Sequence, residues 1–544
     1  MRKLLFGLIV FMLIVAVIHV EKVSAASDPR LGVDLILHNG KIVTVDKKFS
    51  IAEAVAIGRG RILGVGKNQE IQAMAGPNTQ MVDLRGKTVI PGLIDSHIHI
   101  NSMVSLLTTG LPISHVKSIA DIVKVVEEGV KKAKPGEWVI TAKDWRESQV
   151  KENRLPTRWE LDPVSPNNPV CVQRTGHMLI VNSYALKLLG ITKDTVPVAG
   201  GSIDKDPKTG EPTGVLRDAQ QEVVRKMFPP VTYEDELNAI RESFRILASV
   251  GLTGAMTNDD DGLLRHFLDL YSKKEIPIRM ALAIRPKLDA LISGTEEKMK
   301  TYSAMTPRVY GGYGGTLLSI EPIGEENFDT DGQDISTMSI GELKRILLLA
   351  HKYSLRLQTH QSTDLNLKAF EMASREVNFQ GRRWIALHCN APSTKSMDLL
   401  RKLEMYVVTQ PSRVYYATKD PLNVPLRDFA DRGIIYCLGT DWPSDGRESH
   451  SPFRVIYSSV TRKDRHGKVH FPENSITREE ALKGYTINNA MLTFEEKDKG
   501  SIEVGKLADL LILSDDILTC REEKIKDIYV LKTILGGEVV YERK

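Results

Sequence analysis

The chain has 544 residues, of which 42% are hydrophobic and 26% are charged, so it is long enough to bury one large core and one or two smaller ones. Its formal net charge is +4, and no run of like charges stands out. A nucleic-acid-binding surface needs basic residues concentrated on one face. The composition therefore predicts a globular protein and argues against nucleic acid as a partner.

The first 25 residues are predicted to be a signal peptide. Arg2 and Lys3 precede an apolar run over residues 4–20, and Val23 and Ala25 occupy the −3 and −1 positions of a cleavage site. The alternative is a retained membrane anchor, because an apolar run of that length is barely long enough to span a bilayer. We expect cleavage, export to the periplasm or the extracellular space, and no membrane span in the mature protein.

The cysteines are predicted to be buried free thiols. Cys171, Cys389 and Cys437 lie inside apolar, strand-like runs, and neither they nor Cys520 show C-x-x-C spacing. Export would permit a disulfide, so that alternative stays open.

Two short β-rich segments bracket the chain, at residues 33–90 and 496–544. Both consist of short β-type runs separated by turn residues, as in DLILHNGKIVTVD and TILGGEVVYER. Neither segment has enough apolar surface to stand alone. We therefore expect the two to pair in space as one small β-domain.

Between these segments, residues 91–495 alternate apolar β-type runs with helical patterns, which predicts a parallel α/β architecture. Eight runs are candidates for the strands of a (β/α)8 barrel: 92–100, 251–257, 278–284, 317–321, 355–360, 384–388, 405–410 and 434–441. The gap between the first two runs is too long for one βα unit. Residues of about 101–235 are therefore predicted to be an inserted subdomain, and such long insertions often carry function.

Histidines and an aspartate stand at the ends of four of these runs. His97 and His99 form a His-x-His pair, and alternate side chains of a strand share a face, so both imidazoles can point at one ion. His360, His388 and Asp441 each end an apolar run, and the carboxyl ends of barrel strands converge on the catalytic mouth. A core histidine explains one such position but not four. The pattern therefore predicts a metal site.

A resemblance to a known family rests on several motifs in combination. They are PGLIDSHIH, the strand-ending His360 and His388, GTD at Asp441, ALKGYTINNA and GSIEVGKLADLLIL. These motifs resemble the amidohydrolase superfamily, and most closely its family 3 branch, which includes N-substituted formamide deformylase-like enzymes. The resemblance covers residues from about 33 to 540. It implies an α/β fold with a TIM barrel, a composite β-sandwich from both chain ends, and one or two divalent ions, usually zinc.

The segment RLPTRWELDPVSPNNPVCVQRTGHMLIVNSYAL is similar to the insertion of that branch, and His177 and Asn182 match its GH and N positions. Together with Trp145 and Arg146, these residues are the expected substrate contacts. Arg146 stands where relatives often have Asp, which predicts a cation facing the pocket and a preference for an anionic substrate. A solvated or salt-bridged surface arginine is the equally weighted alternative.

Two departures from the family pattern change the expected site. That branch usually ends its fourth strand with a lysine that carries CO2 and bridges two metals, whereas GGYGGTLLSIEP contains Glu321 and no lysine. A carboxylate is the same type of oxygen ligand, so we expect Glu321 to bridge two ions; the alternative is a hydrogen bond beside a single ion. Asp218 and Asp364 are weaker candidates for this ligand position.

The second departure lies in GLTGAMTN, where Met256 and Thr257 replace a polar pair of the relatives. This replacement predicts a less polar wall of the pocket there.

The predicted chemistry follows from the site. The expected metal ligands are His97, His99, Glu321, His360, His388 and Asp441. A divalent ion lowers the pKa of bound water from about 15.7 towards 7. Asp441 is expected to accept the water proton and pass it to the leaving amine, while the metal and His177 stabilise the oxyanion.

The predicted activity is hydrolysis of a non-peptide C–N bond in a small amide, N-acyl or N-formyl compound. Heterocycle deamination at the same metal site is the first alternative, and an exported binding module that has lost catalysis is the second. The expected partner is a small-molecule substrate, and association of the chain into a homo-oligomer stays open.

Overall fold

The computed structural model describes residues 32–108, 110–174, 178–198, 201–259, 262–284, 295–305, 308–313, 315–321, 323–326, 339–360, 364–389, 392–416, 423–443 and 447–544. The predicted signal peptide and His177 lie outside the described residues. Within these ranges, no helix combines the length and the apolar character needed to cross a membrane.

The N-terminal part of the described chain consists of short strands. They are β1 (Leu35–His38), β2 (Lys41–Val43), β3 (Ile51–Ala52), β4 (Ala54–Gly58), β5 (Arg61–Gly66), β6 (Gln80–Asp83) and β7 (Thr88–Pro91), with helix α1 (Asn68–Gln72) after β5. Strands β5, β4, β1 and β6 form one sheet, in which β1 runs antiparallel to β4 and parallel to β6.

Strand β8 (Leu93–Ile98) enters the central part of the fold, and a group of elements that includes a five-stranded sheet follows it. The elements up to the return helix are α2 (Ile100–Thr108), α3 (Ile119–Lys132), β9 (Val139–Ile140), α4 (Arg158–Leu161), β10 (Val170–Arg174), β11 (Met178–Val181), α5 (Ser183–Leu188), β12 (Gly201–Lys205), β13 (Pro212–Asp218), α6 (Gln221–Arg225) and α7 (Tyr233–Ser249). Strands β9 to β13 form their own sheet in the order β12-β13-β11-β10-β9. The inserted sheet packs against α3 through its own apolar core, which includes Ile122 and Val172.

The remaining central elements alternate strands and helices. They are β14 (Leu252–Asp259), α8 (Gly262–Ser272), β15 (Arg279–Ile284), α9 (Thr295–Met305), β16 (Arg308–Gly312), β17 (Gly315–Glu321), β18 (Ile323–Glu326), α10 (Ile340–Lys352), β19 (Leu357–Thr359), α11 (Asp364–Ala373), β20 (Ile385–Leu387), α12 (Thr394–Lys402), β21 (Tyr406–Thr409), α13 (Ser412–Tyr415), α14 (Leu426–Asp431), β22 (Tyr436–Leu438), α15 (Pro452–Thr461), α16 (Arg478–Tyr485) and α17 (Ile487–Leu492). Each of the eight runs proposed as barrel strands overlaps a strand of the structure, namely β8, β14, β15, β17 and β19 to β22.

The parallel strands form two groups. Strands β8, β14, β15 and β17 pair in parallel, and β18 to β22 pair in parallel in chain order. A parallel bridge between Ile98 and Trp442 joins the end of β8 to the segment after β22. The carboxyl ends of these strands therefore lie on one side of the fold.

Alternate side chains of the strands enter two different cores. Val408 of β21 and Leu387 of β20 belong to an inner apolar cluster, whereas Val407 and Ala386 belong to the larger core that includes the helices. This burial on both faces is typical of a barrel-like α/β fold.

Strands from the C-terminal end complete a sheet begun at the N-terminal end. They are β23 (Leu510–Leu513), β24 (Val530–Leu535) and β25 (Glu538–Glu542). β23 runs antiparallel to β7, with Leu511 opposite Ile90, in a sheet of order β25-β24-β23-β7-β2-β3. Buried Arg279 of β15 donates two hydrogen bonds, of 2.7 and 2.8 Å, to Asp509 just before β23, which fixes this sheet to the central strands.

The cysteines are free thiols, as predicted. Cys171, Cys389 and Cys437 are buried and Cys520 is half-buried. Burial raises the pKa of the Cys389 thiol to about 12, so this thiol is protonated and unreactive at neutral pH.

Candidate metal centre

His97, His99 and Asp441 converge at the carboxyl ends of the strands. Their nitrogen and oxygen ligand atoms all lie within 4.8 Å of one another. The Nε2 atoms of His97 and His99 lie 3.4 and 3.3 Å from the same oxygen of Asp441, Oδ1. The sequence places them there because His97 and His99 alternate at the end of β8, and the Asp441 backbone N–H donates to the His97 carbonyl at 2.9 Å.

The Asp441 carboxylate is ionised in this setting. Burial acts to raise its pKa, but hydrogen bonds from His97 and His99 and the nearby charge of His388 outweigh burial and hold the pKa well below its usual value. A buried, charged carboxylate facing two imidazoles is suited to accept a proton or to bind a cation.

Backbone geometry also marks this centre. His388, directly after β20, and Asp441, three residues after the end of β22, have positive φ angles of 50° and 54°. Such a conformation costs about 1–3 kcal/mol for a residue with a side chain and is concentrated at functional sites.

Asn258 of β14, the strand that pairs with β8, contacts both histidines of the His-x-His pair. The backbone carbonyl of Asn258 lies 2.9 Å from His99 Nδ1, and the side-chain amide of Asn258 lies 2.7 Å from His97 Nδ1. When Nδ1 of a histidine donates a hydrogen bond to an acceptor, the ring proton stays on Nδ1. The lone pair of Nε2 is then available to a metal. For His97 this arrangement requires the Asn258 amide to present its oxygen, which a rotation of the amide provides.

β14 changes from apolar to polar after Met256, which lies in an inner apolar cluster and is the first of the two positions for which a less polar wall is predicted. The strand continues past Thr257 to Asp259, and Thr257, Asn258 and Asp259 are all buried polar residues. The Asp259 carboxylate accepts hydrogen bonds from the Thr257 hydroxyl and from the Ile100 backbone N–H, so it caps helix α2 directly after the histidine strand. The polar wall lies one to two residues beyond the position read from the family motif.

Asp95 fastens the two segments that carry the ligands. Its carboxylate accepts hydrogen bonds from the His97 backbone N–H at 3.0 Å and from the N–H and hydroxyl of Thr440 at 3.1 and 2.8 Å. Burial raises the pKa of Asp95 to about 7, although these hydrogen bonds favour the ionised form. Asp95 therefore acts on the site by positioning β8 against the residue before Asp441.

His388 and His360 extend the cluster on the other side of His97. The ring centroids of His388 and His97 are 5.0 Å apart, and those of His388 and His360 are 4.8 Å apart, in edge-to-face arrangements. The Nδ1 atom of His388 lies 2.5 Å from Oε1 of Gln410, so Gln410 orients this ring as Asn258 orients the others.

Arg413 contacts the second oxygen of Asp441. Its NH2 group donates to Asp441 Oδ2 at 2.8 Å, while Oδ1 faces the two histidines. Arg413 lies on α13, only three residues after Gln410, so one short segment after β21 supports both His388 and Asp441. Sequence reasoning missed Asn258, Asp95, Gln410 and Arg413.

The remaining ligand candidates are Glu321, Asp218 and Asp364. Glu321 ends β17, where its neighbour Ala283 pairs with it in parallel register, but its side chain lies outside the described residues. Asp218 and Asp364 are exposed, and Asp364 accepts a hydrogen bond from the Ser393 backbone N–H at 3.1 Å. Neither joins the described cluster of ligand atoms.

The predicted substrate contacts of the insertion have different settings. The Asn182 side-chain oxygen accepts from the backbone N–H groups of Val170 and Ala185, and its nitrogen donates to Ser165 and Asn168, so this buried side chain caps α5. We therefore assign Asn182 a structural role.

Trp145 and Arg146 are neighbours with opposite exposure. Trp145 is 1% exposed within the core of the insertion, and its indole N–H has no hydrogen-bond partner in the described structure. Arg146 is exposed at the start of a short 3-10 turn, and its backbone N–H donates to Gln149 at 2.7 Å. The acid next to it, Glu147, pairs with Arg174 through two hydrogen bonds of 2.7 Å.

The residues present fit a divalent metal ion. Imidazole nitrogens and a carboxylate are the ligands that zinc and similar ions take in catalytic sites. The Nε2 atoms of His97 and His99 already face one charged oxygen of Asp441. The Nδ1 atoms of His97, His99 and His388 each contact a polar group of Asn258 or Gln410. These ligand atoms, and the polar groups that contact the histidine rings, are typical of a metal centre rather than of a structural histidine cluster.

Comparisons with known proteins agree with the fold and with a metal-dependent hydrolase. The amidohydrolase family model matches residues 80–541. N-substituted formamide deformylase of Arthrobacter pascens is 27% identical over 551 residues, covering 94% of this chain and 98% of that protein. The structure of an uncharacterised metal-dependent hydrolase from Pyrococcus furiosus is similar with a TM-score of 0.66 and 21% identity, covering 89% of this chain and 100% of that one. An adenosine deaminase from Xanthomonas campestris, solved with bound zinc, has a TM-score of 0.54 and 14% identity, covering 94% and 93% of the two chains.

The fold and the site thus define a metal-dependent hydrolase with a TIM-barrel-like α/β fold that acts on carbon–nitrogen bonds. The chain belongs to the amidohydrolase family.

Proposed function

We propose that the protein hydrolyses the non-peptide C–N bond of a small amide, such as an N-acyl or N-formyl compound. The observation that carries the proposal is the convergence of the His97 and His99 Nε2 atoms on one oxygen of a charged, buried Asp441. The likeness to an N-substituted formamide deformylase along nearly the whole chain supports this substrate class over others that the family acts on.

The metal would be held by His97, His99, His388, His360 and Asp441, with Glu321 as the proposed bridging ligand when two ions bind. We propose zinc, because this nitrogen and carboxylate set suits it and a zinc-containing enzyme shares the fold. When bound, the ion supplies Lewis acidity that activates water and polarises the scissile carbonyl.

The protein's own residues would move the proton. Asp441, ionised and turned towards the histidines, accepts the proton of the attacking water and returns it to the leaving nitrogen. Arg413 fixes the far oxygen of Asp441, so the near oxygen keeps its direction during the transfer. His177 remains the proposed donor to the oxyanion, and Trp145 and Arg146 remain proposed substrate contacts.

We propose the following organisation around this site. The two groups of parallel strands close into one barrel over residues 91–495, interrupted by the insertion at about 101–235. Residues 33–90 and 496–544 form one composite β-sandwich, which the pairing of β7 with β23 supports. Residues 1–25 direct export and are removed, which leaves an exported enzyme.

The test is a substrate screen on purified protein loaded with Zn²⁺. A panel of N-formyl, N-acetyl and longer N-acyl amines is offered together with aminopurines and other amino-heterocycles, and both carboxylate and ammonia release are followed. Carboxylate and amine release in equal amounts from an N-acyl compound supports the proposal. Ammonia release from a heterocycle alone would replace it with deamination, which related structures of the same fold make the second candidate.

A matched control separates catalysis from contamination. The His97→Ala variant, purified and loaded in the same way, removes one ligand at the centre. Turnover that persists at the wild-type rate in this variant would assign the activity to another protein in the preparation. A wild-type protein that binds metal but turns over no compound of either panel would favour a binding module.

A further inference from the structure

Arg462, the residue directly after helix α15, is a buried cation without a counter-ion among the described residues. Its side chain is fully buried, and NH1 and NH2 of its guanidinium have no hydrogen-bond partner. Nε donates to the His470 carbonyl at 3.3 Å, so the guanidinium lies against the loop over residues 463–475. Burial lowers the pKa of Arg462 to about 10, which still leaves the side chain charged at neutral pH.

The acidic side chains of this loop do not neutralise Arg462. One oxygen of Asp464 pairs with His470 at 2.9 Å, and the other accepts hydrogen bonds from two backbone N–H groups of the same loop. Glu473 is exposed to solvent and acts on Arg462 through charge attraction without a hydrogen bond. The positive charge of Arg462 is therefore left unpaired by the described part of the chain.

A second buried arginine shows how such a charge is normally accommodated. Arg279 is almost completely buried, and its guanidinium donates to both oxygens of Asp509 and to backbone carbonyls. Arg462 is equally buried but has one carbonyl and no carboxylate. Removal of a charge from water without a partner is among the most costly steps in folding, so a buried guanidinium of this kind requires an acceptor.

The end of α15 has a second unused polar group and an unusual backbone. Arg462 has φ 55° and ψ 22°, the left-handed conformation in which glycine commonly ends a helix and in which a side chain strains the backbone. The hydroxyl of Ser458, one helical turn earlier, is also buried without a hydrogen-bond partner, and the Ser458 carbonyl accepts from the Arg462 backbone N–H at 3.0 Å. Buried polar groups are rarely left unpaired, so two at one helix end indicate a bound group.

We propose that Arg462 binds a chloride ion, which accepts hydrogen bonds from NH1 and NH2 and neutralises the buried guanidinium. The ligand is an anion because a guanidinium has donors and no acceptor. It is monatomic because these nitrogen atoms are closed to solvent, so an organic anion does not reach them. The ion enters as the loop over residues 463–475 closes over the helix end during folding, and it exchanges when that loop opens. This proposal does not depend on the proposed hydrolytic function.

The direct test replaces chloride with bromide. Protein is dialysed for several days against sodium bromide and crystallised from it, and anomalous data are collected at the bromine absorption edge. A bromide peak in contact with NH1 and NH2 of Arg462 is expected. Water at this position without an anomalous signal, while bromide binds elsewhere on the chain, would overturn the proposal.

Thermal unfolding tests the same site in solution. The midpoint is measured in potassium chloride and in potassium gluconate at equal ionic strength, because gluconate is too large for a closed site. An ion that binds only the folded chain stabilises it by mass action, so the midpoint should rise by on the order of 1 °C for each tenfold increase in chloride above the dissociation constant. Equal midpoints in the two salts at every concentration would contradict a bound chloride.

Two variants assign the effect to Arg462. Arg462→Met removes the charge but keeps an unbranched side chain, and it should lose both the chloride dependence and the bromide peak. Arg465→Gln removes an exposed arginine of the same loop and should keep both. The same chloride dependence in both variants and the wild type would place the effect elsewhere and overturn the proposal. If Arg462→Met does not fold, the bromide map of the wild type decides.

Discussion

The role of Asn258 gives the sharpest prediction about how the metal ligands are held. The Asn258→Ala substitution removes the side-chain amide that lies 2.7 Å from His97 Nδ1, but it keeps the backbone carbonyl that holds His99. One of the two orienting contacts is therefore lost while the ligands themselves remain. Loss of such a supporting contact weakens metal binding about 10- to 100-fold, which corresponds to about 1.4–2.7 kcal/mol.

A second substitution at the same position fixes the direction of the hydrogen bond. Asn258→Asp places an acceptor opposite His97 Nδ1 under all conditions near neutral pH. If His97 binds the metal through Nε2, its Nδ1–H donates to this carboxylate, and the zinc affinity should equal or exceed that of the wild type. Asn258→Ala is thus expected to lower the zinc affinity, whereas Asn258→Asp is expected to keep or raise it.

Zinc affinity is measured by competition with a chromophoric chelator at constant pH, with Asn488→Ala as the control. Asn488 is half-buried and donates to the Tyr436 carbonyl at 2.8 Å without touching a ligand, so its substitution tests for a general effect of losing an asparagine. Wild-type affinity in Asn258→Ala, or an equal loss in Asn258→Ala and Asn258→Asp, would refute the reasoning about His97.

Three further substitutions test the site. His388→Ala should abolish turnover and lower the metal content while the circular dichroism spectrum persists, because a ligand is deleted; full metal content with full turnover would remove His388 from the centre. Asp441→Asn should lower kcat about 10²- to 10⁴-fold with only a partial loss of metal, since an amide cannot carry the proton, and near wild-type kcat would make Asp441 a structural residue. Arg146→Lys and Arg146→Ala should raise KM more for anionic than for neutral substrates; equal changes for both classes would assign Arg146 to structure.

The strands and the clustering of the candidate ligands were predictable because each leaves a local trace in the sequence. Apolar runs of strand length alternate with helical periodicity, and each predicted run overlaps a strand of the structure. His97, His360 and Asp441 stand at the ends of such runs, where the carboxyl ends of parallel strands meet. Periodicity and position were enough to bring these residues together.

Strand ends were harder to predict, and the error at β14 shows why. Asn258 and Asp259 are residues typical of a turn, so the apolar pattern indicates an end at Thr257, whereas the strand continues to Asp259. The tertiary contacts of these two side chains with β8 and α2 stabilise the extra strand residues. No local signal contains those contacts.

The supporting residues were missed for a related reason. Gln410 and Arg413 follow an apolar run just as the ligands do, in the sequence TQPSR, so a weak signal was present. Their roles depend on contacts with His388 and Asp441, which lie 22 and 28 residues away along the chain. In the insertion the opposite error occurred, because a motif position identified Asn182 without revealing that all its hydrogen bonds are made inside the protein.

The most direct test of the metal centre is an anomalous difference map from crystals grown with Zn²⁺, using data collected on both sides of the zinc absorption edge. A peak about 2.0–2.1 Å from the Nε2 atoms of His97 and His99, and in contact with the Asp441 carboxylate, is the predicted result. A map with no peak among these residues, while zinc is bound elsewhere on the chain, would contradict it.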